Sequence, residues 1–477
     1  MHFDRDFRMA IGSALAPGAG TMAVIDPATA TPFAEAPEAS PADLDRAISA
    51  ARAAFPGWAA TPYAERAASI AALADAVERH ADDFAPLLTR EQGKPLAEAR
   101  REVMGLATWL RAAAGMALPV TVHEDIPARY CETRHVPIGV VAAIAPWNYP
   151  LLLAAFKLGP ALVTGNCVVL KPSPFTPLTS LKLGELAQSI LPPGVLNVVS
   201  GGDALGPWLT AHPGIDKIAF TGSTATGKRV MASAADTLKR ITLELGGNDP
   251  AIVMHDIDPA MLAPALFWAA FGNAGQVCLA TKRLYVHAAV YDEVRDALVA
   301  YAAGVTMGSG IAPGTQIGPI NNRVQHDRLI ALIEDCRTHG YRFACGGEVP
   351  DGPGYFLAPT IIDNPPESAR IVQDEQFGPI LPMMSFTDYD DAVHRANSGP
   401  YGLGASIWAG DPDAAWALGQ RIASGNVWVN ESRPLSPLVP FAGHGHSGFG
   451  VENGIEGLLE YTLPRTSSIC RTRTFGL

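Results

Sequence analysis

Residues 138–150 read Ile-Gly-Val-Val-Ala-Ala-Ile-Ala-Pro-Trp-Asn-Tyr-Pro. An unbroken apolar run ends at a turn stiffened by Pro146 and Pro150. A strand buried on both faces requires such a run, closed by a turn. Helical periodicity follows at 151–163, and a second apolar run at 167–170. The style then repeats, predicting strands at 195–199, 217–220 and 241–245 and helices at 178–190, 203–211 and 226–235. Repeated β-α-β units predict a parallel, doubly wound sheet, and ligands of such sheets sit at the carboxyl ends of the strands.

Downstream, a second α/β block is expected over about 248–440, with strands at 281–287 and 380–386 and helices at 291–303 and 323–338. Upstream, 41–117 reads as helices. Ser40 is a good N-cap, Pro41 suits the first turn, and Asp43 completes a capping box. Leu44, Ile48, Ala51 and Phe55 then share one face. Residues 121–135 change character: Thr121, Val122, His123, Tyr130, Thr133 and Arg134 suggest an extended, partly polar arm. The tail from about 456 to 477 reads as strand again.

At 477 residues the chain is too long for one ordinary core. Hydrophobic residues make up 48% and charged residues 17%, and the net charge is −12. No Lys/Arg block supplies the basic face that a nucleic-acid or anionic-membrane binder needs. Six cysteines (Cys131, Cys167, Cys278, Cys336, Cys345 and Cys470) show no CxxC spacing, so neither a zinc knuckle nor a redox dithiol is indicated. They read as reduced thiols of a cytoplasmic protein. No apolar run reaches the roughly 18 residues of a membrane span, the nearest being 260–272. No signal peptide is read at the N-terminus.

Four places carry candidate chemistry. In Phe271-Gly272-Asn273-Ala274-Gly275-Gln276-Val277-Cys278, the glycines allow close backbone approach to a ligand, and the irregular segment offers to hold Cys278 as a stabilised thiolate. The alternative is a small buried apolar residue. In Leu243-Glu244-Leu245-Gly246-Gly247-Asn248, Glu244 stands between leucines at a strand end. An apolar setting raises a carboxylate's pKa toward that of a general base working near neutrality, whereas a salt-bridged or solvent-facing glutamate is the plainer reading. Asn148 follows the first strand, either as an amide donor to a developing oxyanion or as a turn residue. Phe220-Thr221-Gly222-Ser223-Thr224-Ala225-Thr226-Gly227 joins strand to helix and suits a pyrophosphate, although a plain N-cap explains Ser223 or Thr224 as well.

Taken together, PWNYP, VVLKPSPFTP, FTGST, LELGGNDP, GQVC, EQFGP and PFAGHGHSGFG, in this order, resemble the aldehyde dehydrogenase superfamily from about residue 20 onward. The resemblance implies a nicotinamide-dependent oxidation of an aldehyde to a carboxylic acid through a thiohemiacetal and a thioester on Cys278. It implies Asn148, with the backbone N–H of Cys278, as the oxyanion site. Glu244, 34 positions before Cys278, would activate water, and Lys157 would support cofactor and proton traffic unless it is a helix-surface lysine. Trp147, Lys171, Ser173, Gly222, Ser223, Gly246, Glu375 and Phe377 are implied as cofactor contacts. Leu153, Phe156, Val277, Leu279 and Leu435 are implied as an apolar aldehyde tunnel, with Arg433 near its mouth or simply on the surface.

The implied fold class is α/β: an aldehyde dehydrogenase-like pair of doubly wound domains plus a small β oligomerisation arm. The cofactor-binding domain spans 1–120 and 136–247, the catalytic domain 248–445, and the arm with the C-terminal strand 121–135 and 446–477. A homodimer or homotetramer is expected, since unpaired sheet edges are usually covered.

Departures from the family pattern bear on the cofactor. Pro174 stands where a ribose-gripping glutamate often stands. That removes one barrier to NADP and adds no cation to welcome its phosphate, so either NAD or NADP is expected, NAD first. Ala442 and Gly445 vary a late glycine-lysine motif, and are read as structural. Gly443-His444-Gly445-His446-Ser447-Gly448 spells GxGxxG but follows no clear strand, and is not read as a dinucleotide fingerprint. Its histidines lack a third ligand nearby, so no metal is expected. Rival readings are a CoA-acylating relative, against which Glu244 argues, a thiol esterase without redox chemistry, and a catalytically silent relative, against which Cys278 and Glu244 both argue.

Overall fold

The computed structural model describes residues 2–472. Two large sheets organise the chain. In the first, the strand order is Ala14–Ala16, Met9–Ile11, Leu196–Val198, Cys167–Lys171, Val140–Ile144, Lys217–Thr221, Arg240–Glu244 and Gly448–Phe449. The five middle strands are parallel, and antiparallel pairs close both edges. All five residues of Val140–Ile144 are buried, as the unbroken apolar run at 138–145 demands. The chain passes from Val140–Ile144 to Cys167–Lys171 and Leu196–Val198 on one side, then crosses to Lys217–Thr221 on the other. The switch point therefore lies between the carboxyl ends of Val140–Ile144 and Lys217–Thr221, where such sheets open a crevice.

The second sheet runs Arg342–Cys345, Thr360–Asp363, Ile380–Phe386, Thr281–His287, Asp249–Val253, Gly404–Trp408 and Asn426–Val429, parallel except at its first pair. Only residues 245–248 separate the carboxyl end of Arg240–Glu244 from the amino end of Asp249–Val253. That short link forces the carboxyl edge of the first sheet against the amino edge of the second. Each sheet is covered by helices and has its own apolar core. Both doubly wound units, and the helical stretch at 41–117, are present as expected. The first helix, Pro41–Ala60, begins with the anticipated capping box between Ser40 and Asp43.

A third sheet joins Thr121–Ile126, Arg129–Pro137 and Thr462–Cys470, so the arm at 121–135 exists and pairs with the tail. Its expected boundary needs correction, because residues 446–461 do not run with it. Gly448–Phe449 pairs with Leu243 and Glu244 at the edge of the first sheet, and Leu458 and Tyr461 lie in that sheet's core. An edge pairing of two residues carries no alternation to read in advance. Residues 473–477 of the expected tail fall outside the described residues. The GxGxxG segment opens no helix: His444–Gly445 and Gly448–Phe449 are short antiparallel strands. Among the described residues no helix is long and apolar enough to cross a membrane.

Candidate active site

Cys278 reaches its position through a backbone that few sequences tolerate. The apolar helix Pro259–Phe271 ends at Gly272, and Asn273, Ala274 and Gly275 then take left-handed φ of 52°, 54° and 69°. A Cβ at Gly275 would stand 2.2 Å from the carbonyl oxygen of Gly378. The glycine thus allows two protein backbones to meet, rather than a backbone and a ligand as its motif suggests. Asn273 also helps to pin the turn: its Nδ2 donates to the Asn148 carbonyl at 3.2 Å. Of residues 271–280, only Cys278 keeps appreciable exposed surface.

The neighbouring sheet brings Asn148 to the same place. It follows Val140–Ile144 and precedes the helix Pro150–Val163, whose first residue is the proline that suits that position. Asn148 Nδ2 donates to the Gln276 carbonyl at 3.0 Å, which spends one of its two N–H groups and leaves the other. Lys94, buried and paired with Glu102, donates to the Asn148 carbonyl at 2.9 Å. The expected pairing of Asn148 with the Cys278 loop is therefore present as geometry, and is stiffened by a buried ion pair absent from the sequence reading.

Two cavities meet at Cys278. The smaller, about 180 Å³, is lined by Trp147, Asn148, Thr221, Gly222, Ser223, Gly246, Gln325, Arg328, Glu375 and Phe377, among others. Six of the expected cofactor contacts stand together here. Ser223 caps the helix Thr224–Ala235, accepting the Thr226 N–H at 3.3 Å, so its N-cap role and its place in the cavity coexist. Trp147 and Phe377 meet edge to face at 5.3 Å. Phe377 has a φ of 54°, and Gln325 holds its loop by donating to the carbonyls of Gln376 and Phe377, each at 2.9 Å. A Cβ at Gly246 would sit 2.2 Å from Glu375 Oε2, so only glycine leaves that carboxylate its place. Lys171 and Ser173 are not brought into this cavity. They lie at the carboxyl end of the adjacent strand, with Lys171 beside Ile144 and Ser173 accepting the Phe175 N–H.

The larger cavity, about 480 Å³, is lined by Leu153, Val277, Leu279 and Leu435 with Cys278 and Asn148. Phe156, expected with them, is elsewhere. It stacks on Trp109 at 5.3 Å and faces a separate small pocket. One helical turn separates it from Leu152, which does line the cavity, and that turn carries its ring past the wall. Arg433, expected more simply on the surface, lines the cavity and donates to the Trp268 carbonyl at 2.5 Å.

Electrostatics differ from expectation at the thiol. Burial pushes Cys278 up to about 12, with Lys282 pulling it down and Asp249, Glu244 and Glu375 pushing it further up. The loop holds a thiol, not a ready thiolate, because its walls remove water faster than one lysine compensates. Lys282 was not singled out by the sequence. It is buried, donates to the carbonyls of Val277 at 2.9 Å and Cys278 at 2.5 Å, and lies 3.7 Å from Glu375. Asp249 behind it is raised to about 7, first by burial.

Glu244 ends the strand Arg240–Glu244 and is buried, with neither carboxylate oxygen hydrogen-bonded. Its pKa is raised well above the ordinary range by burial and then by Glu452, with Lys157 opposing. It lines neither cavity, although its neighbours Thr221 and Leu245 line the smaller, and it is near enough for its charge to act on the Cys278 thiol. Lys157 is not a surface lysine. It has no exposed surface and donates to Thr221 Oγ1 and Glu452 Oε1, each at 2.7 Å. Thr221 lines the smaller cavity, so Lys157 joins that wall to a buried carboxylate.

A model described as the aldehyde dehydrogenase family matches residues 15–467. The chain belongs to the aldehyde dehydrogenase family. It is 46% identical to an aldehyde dehydrogenase of Fusarium sp, across 92% of this chain and 93% of the relative. It is 40% identical to a phenylacetaldehyde dehydrogenase of Pseudomonas fluorescens, across 94% and 92%. Among solved structures, an NAD+ complex of an aldehyde dehydrogenase from Bacillus cereus superposes with a TM-score of 0.96 at 34% identity, covering 98% of this chain and 97% of that one. The chain is thus an aldehyde dehydrogenase enzyme with the aldehyde dehydrogenase fold.

Proposed function

We propose that this enzyme oxidises an aldehyde to a carboxylic acid by a hydrolytic route on Cys278. The observation that carries the reading is the placement of Cys278 where the two cavities meet, with Asn148, which keeps a spare N–H, in both linings and an unpartnered Glu244 near enough for its charge to act on the thiol. Cys278 Sγ bonds to the carbonyl carbon as its proton passes through water to solvent, which leaves Glu244 free for the later hydrolysis. The carbonyl oxygen becomes an oxyanion held by the second N–H of Asn148 and the backbone N–H of Cys278. A nicotinamide dinucleotide, when bound, supplies the hydride acceptor that turns the thiohemiacetal into a thioester. Glu244 then takes a proton from water, the hydroxide adds to the thioester carbon, and the C–S bond breaks to return the thiol and release the acid. A raised carboxyl pKa fits that work near neutrality. Lys157, Thr221 and Glu452 offer the proton a buried onward path.

The cofactor reading rests on the cradle. Gly222, Ser223 and Gly246 keep the wall low, Glu375 offers a carboxylate to ribose hydroxyls, and Trp147 and Phe377 flank the ring site. Lys171 and Ser173 serve the adenosine end from outside the closed part. NAD is favoured over NADP: burial lowers Lys171 to about 8 and Asp203 acts on it, so that end offers a weak cation beside a carboxylate to a 2′-phosphate. The arm is read as an oligomer contact, because Thr121–Ile126 is an edge strand and Val122, Ile126 and Ile469 are exposed. Cys278→Ala is expected to lower NAD(P)H formation by roughly 10⁴-fold or more. A near-normal rate in that variant would end the reading.

A further inference from the structure

Four charged side chains line the larger cavity: Glu98, Arg101, Glu102 and Arg433. Three of them are accounted for. Glu102 pairs with buried Lys94 at 2.5 Å and accepts the Leu151 N–H at 2.9 Å. Glu98 faces Arg101 at 3.8 Å, and burial raises its carboxyl pKa, which weakens its charge. Arg433 has no carboxylate within ion-pairing distance among the described residues, although Glu98 lies near enough for the Arg433 charge to act on it; the side-chain hydrogen bond of Arg433 goes to the Trp268 carbonyl. It is nonetheless held in place. Its φ of 60° sets it in a left-handed turn, closed by the Leu435 N–H on its own carbonyl at 2.8 Å. Its guanidinium lies over Gly272, where a Cβ would come within 3.1 Å of it.

We propose that Arg433 and the apolar walls of this cavity form a subsite for an aldehyde that bears a carboxylate at its far end. The proposal rests on the assignment of Cys278 as the nucleophile. A guanidinium grips a carboxylate through two parallel N–H···O bonds, and Arg433 spends only one of its five N–H groups on the protein. An arginine facing a partly closed apolar cavity also keeps more of its attraction than one in open water. The walls of Leu153, Trp268, Val277, Leu279 and Leu435 take the apolar spacer, aliphatic or aromatic.

The test compares 4-carboxybenzaldehyde with benzaldehyde, which differ only in the distal carboxylate. The wild-type enzyme is expected to favour the acid in kcat/KM. Arg433→Met should reduce the ratio of the two by roughly 10- to 100-fold, mainly through KM, Arg433→Lys should restore part of it, and Arg433→Glu should invert it. A ratio, unlike a rate, is insensitive to partial misfolding. An independent readout needs no turnover: terephthalate should slow iodoacetamide labelling of Cys278 more than benzoate does in wild type, and not in Arg433→Met. An unchanged ratio, or equal protection by the two acids, overturns the subsite while leaving the reaction intact. Turnover of both aldehydes by Cys278→Ala would instead overturn the nucleophile assignment.

Discussion

The two cavities that meet at Cys278 are built in opposite ways. The smaller is walled by consecutive short segments at strand ends, including Trp147-Asn148, Thr221-Gly222-Ser223 and Leu245-Gly246, and shaped by residues that stay out of the way. The larger adds to the Val277-Cys278-Leu279 segment side chains from helices and a loop, including Glu98, Arg101, Trp268, Arg433 and Leu435, and is shaped by what those residues put in. On the proposed reading, the first arrangement would hold a constant ligand through backbone and glycine, and the second, built on loops and helix faces free to vary, would be where one scaffold takes different aldehydes.

The largest further effect is expected at the junction. Glu244→Gln should lower steady-state turnover by about 10²- to 10⁴-fold while leaving a burst of reduced nicotinamide on rapid mixing, because thioester formation precedes the lost hydrolysis. The same variant has a stability signature. Glu244 has a raised pKa in the folded state, so the fold binds its proton more tightly than the unfolded chain does and loses stability as pH rises above the unfolded value. Neutral glutamine escapes that loss. Melting at pH 8 should therefore rise by roughly 1–3 °C, and the gain should vanish near pH 4. A melting gain of equal size at both pH values would show that the buried charge is not the cause.

A middle-sized effect tests whether the cavities are coupled through Lys282, which touches the nucleophile loop and approaches Glu375. Its charge lowers the Cys278 pKa, so Lys282→Met should move the pH profile of Cys278 alkylation upward and slow labelling several-fold at pH 8. Lys282→Arg should move it back. Equal loss in both variants, with no change in profile, would reduce the lysine to packing.

The smallest effect belongs to Phe156, which sits behind the wall. Phe156→Leu should cost about 1 kcal/mol of stability from lost stacking on Trp109. The KM for aldehydes should stay within about twofold of wild type, since a substitution outside the cavity leaves its lining intact. A several-fold KM change would return Phe156 to the substrate wall.

What was legible follows from these two styles of construction. Trp147, Gly222, Ser223, Gly246, Glu375 and Phe377 could be grouped in advance because each lies in a short motif, and the fold brings those motifs to one cavity. Phe156 was misplaced because the resemblance carries over a position on the helix, whereas which cavity its ring faces depends on packing against the remote Trp109. The thiolate expected at Cys278 became a raised thiol, since burial removes its water and the charges of Asp249 and Glu375, remote in sequence, add to the effect. Lys157 was ambiguous between surface and core until Glu452, nearly three hundred positions away, supplied its partner.

The sequence by itself determined the two largely parallel sheets and the capped helix at 41, and it singled out Cys278, Glu244 and Asn148 as candidates. Those depend on local pattern, on residue chemistry and on motifs in a fixed order. Only the tertiary structure decided that residues 446–461 stay with the first sheet, that Glu244 is buried without a hydrogen-bond partner, and that Arg433 lines the larger cavity with no carboxylate in ion-pairing distance among the described residues. Edge pairing, desolvation and charge balance are properties of residues brought together from far along the chain, and they exist only once the fold has closed.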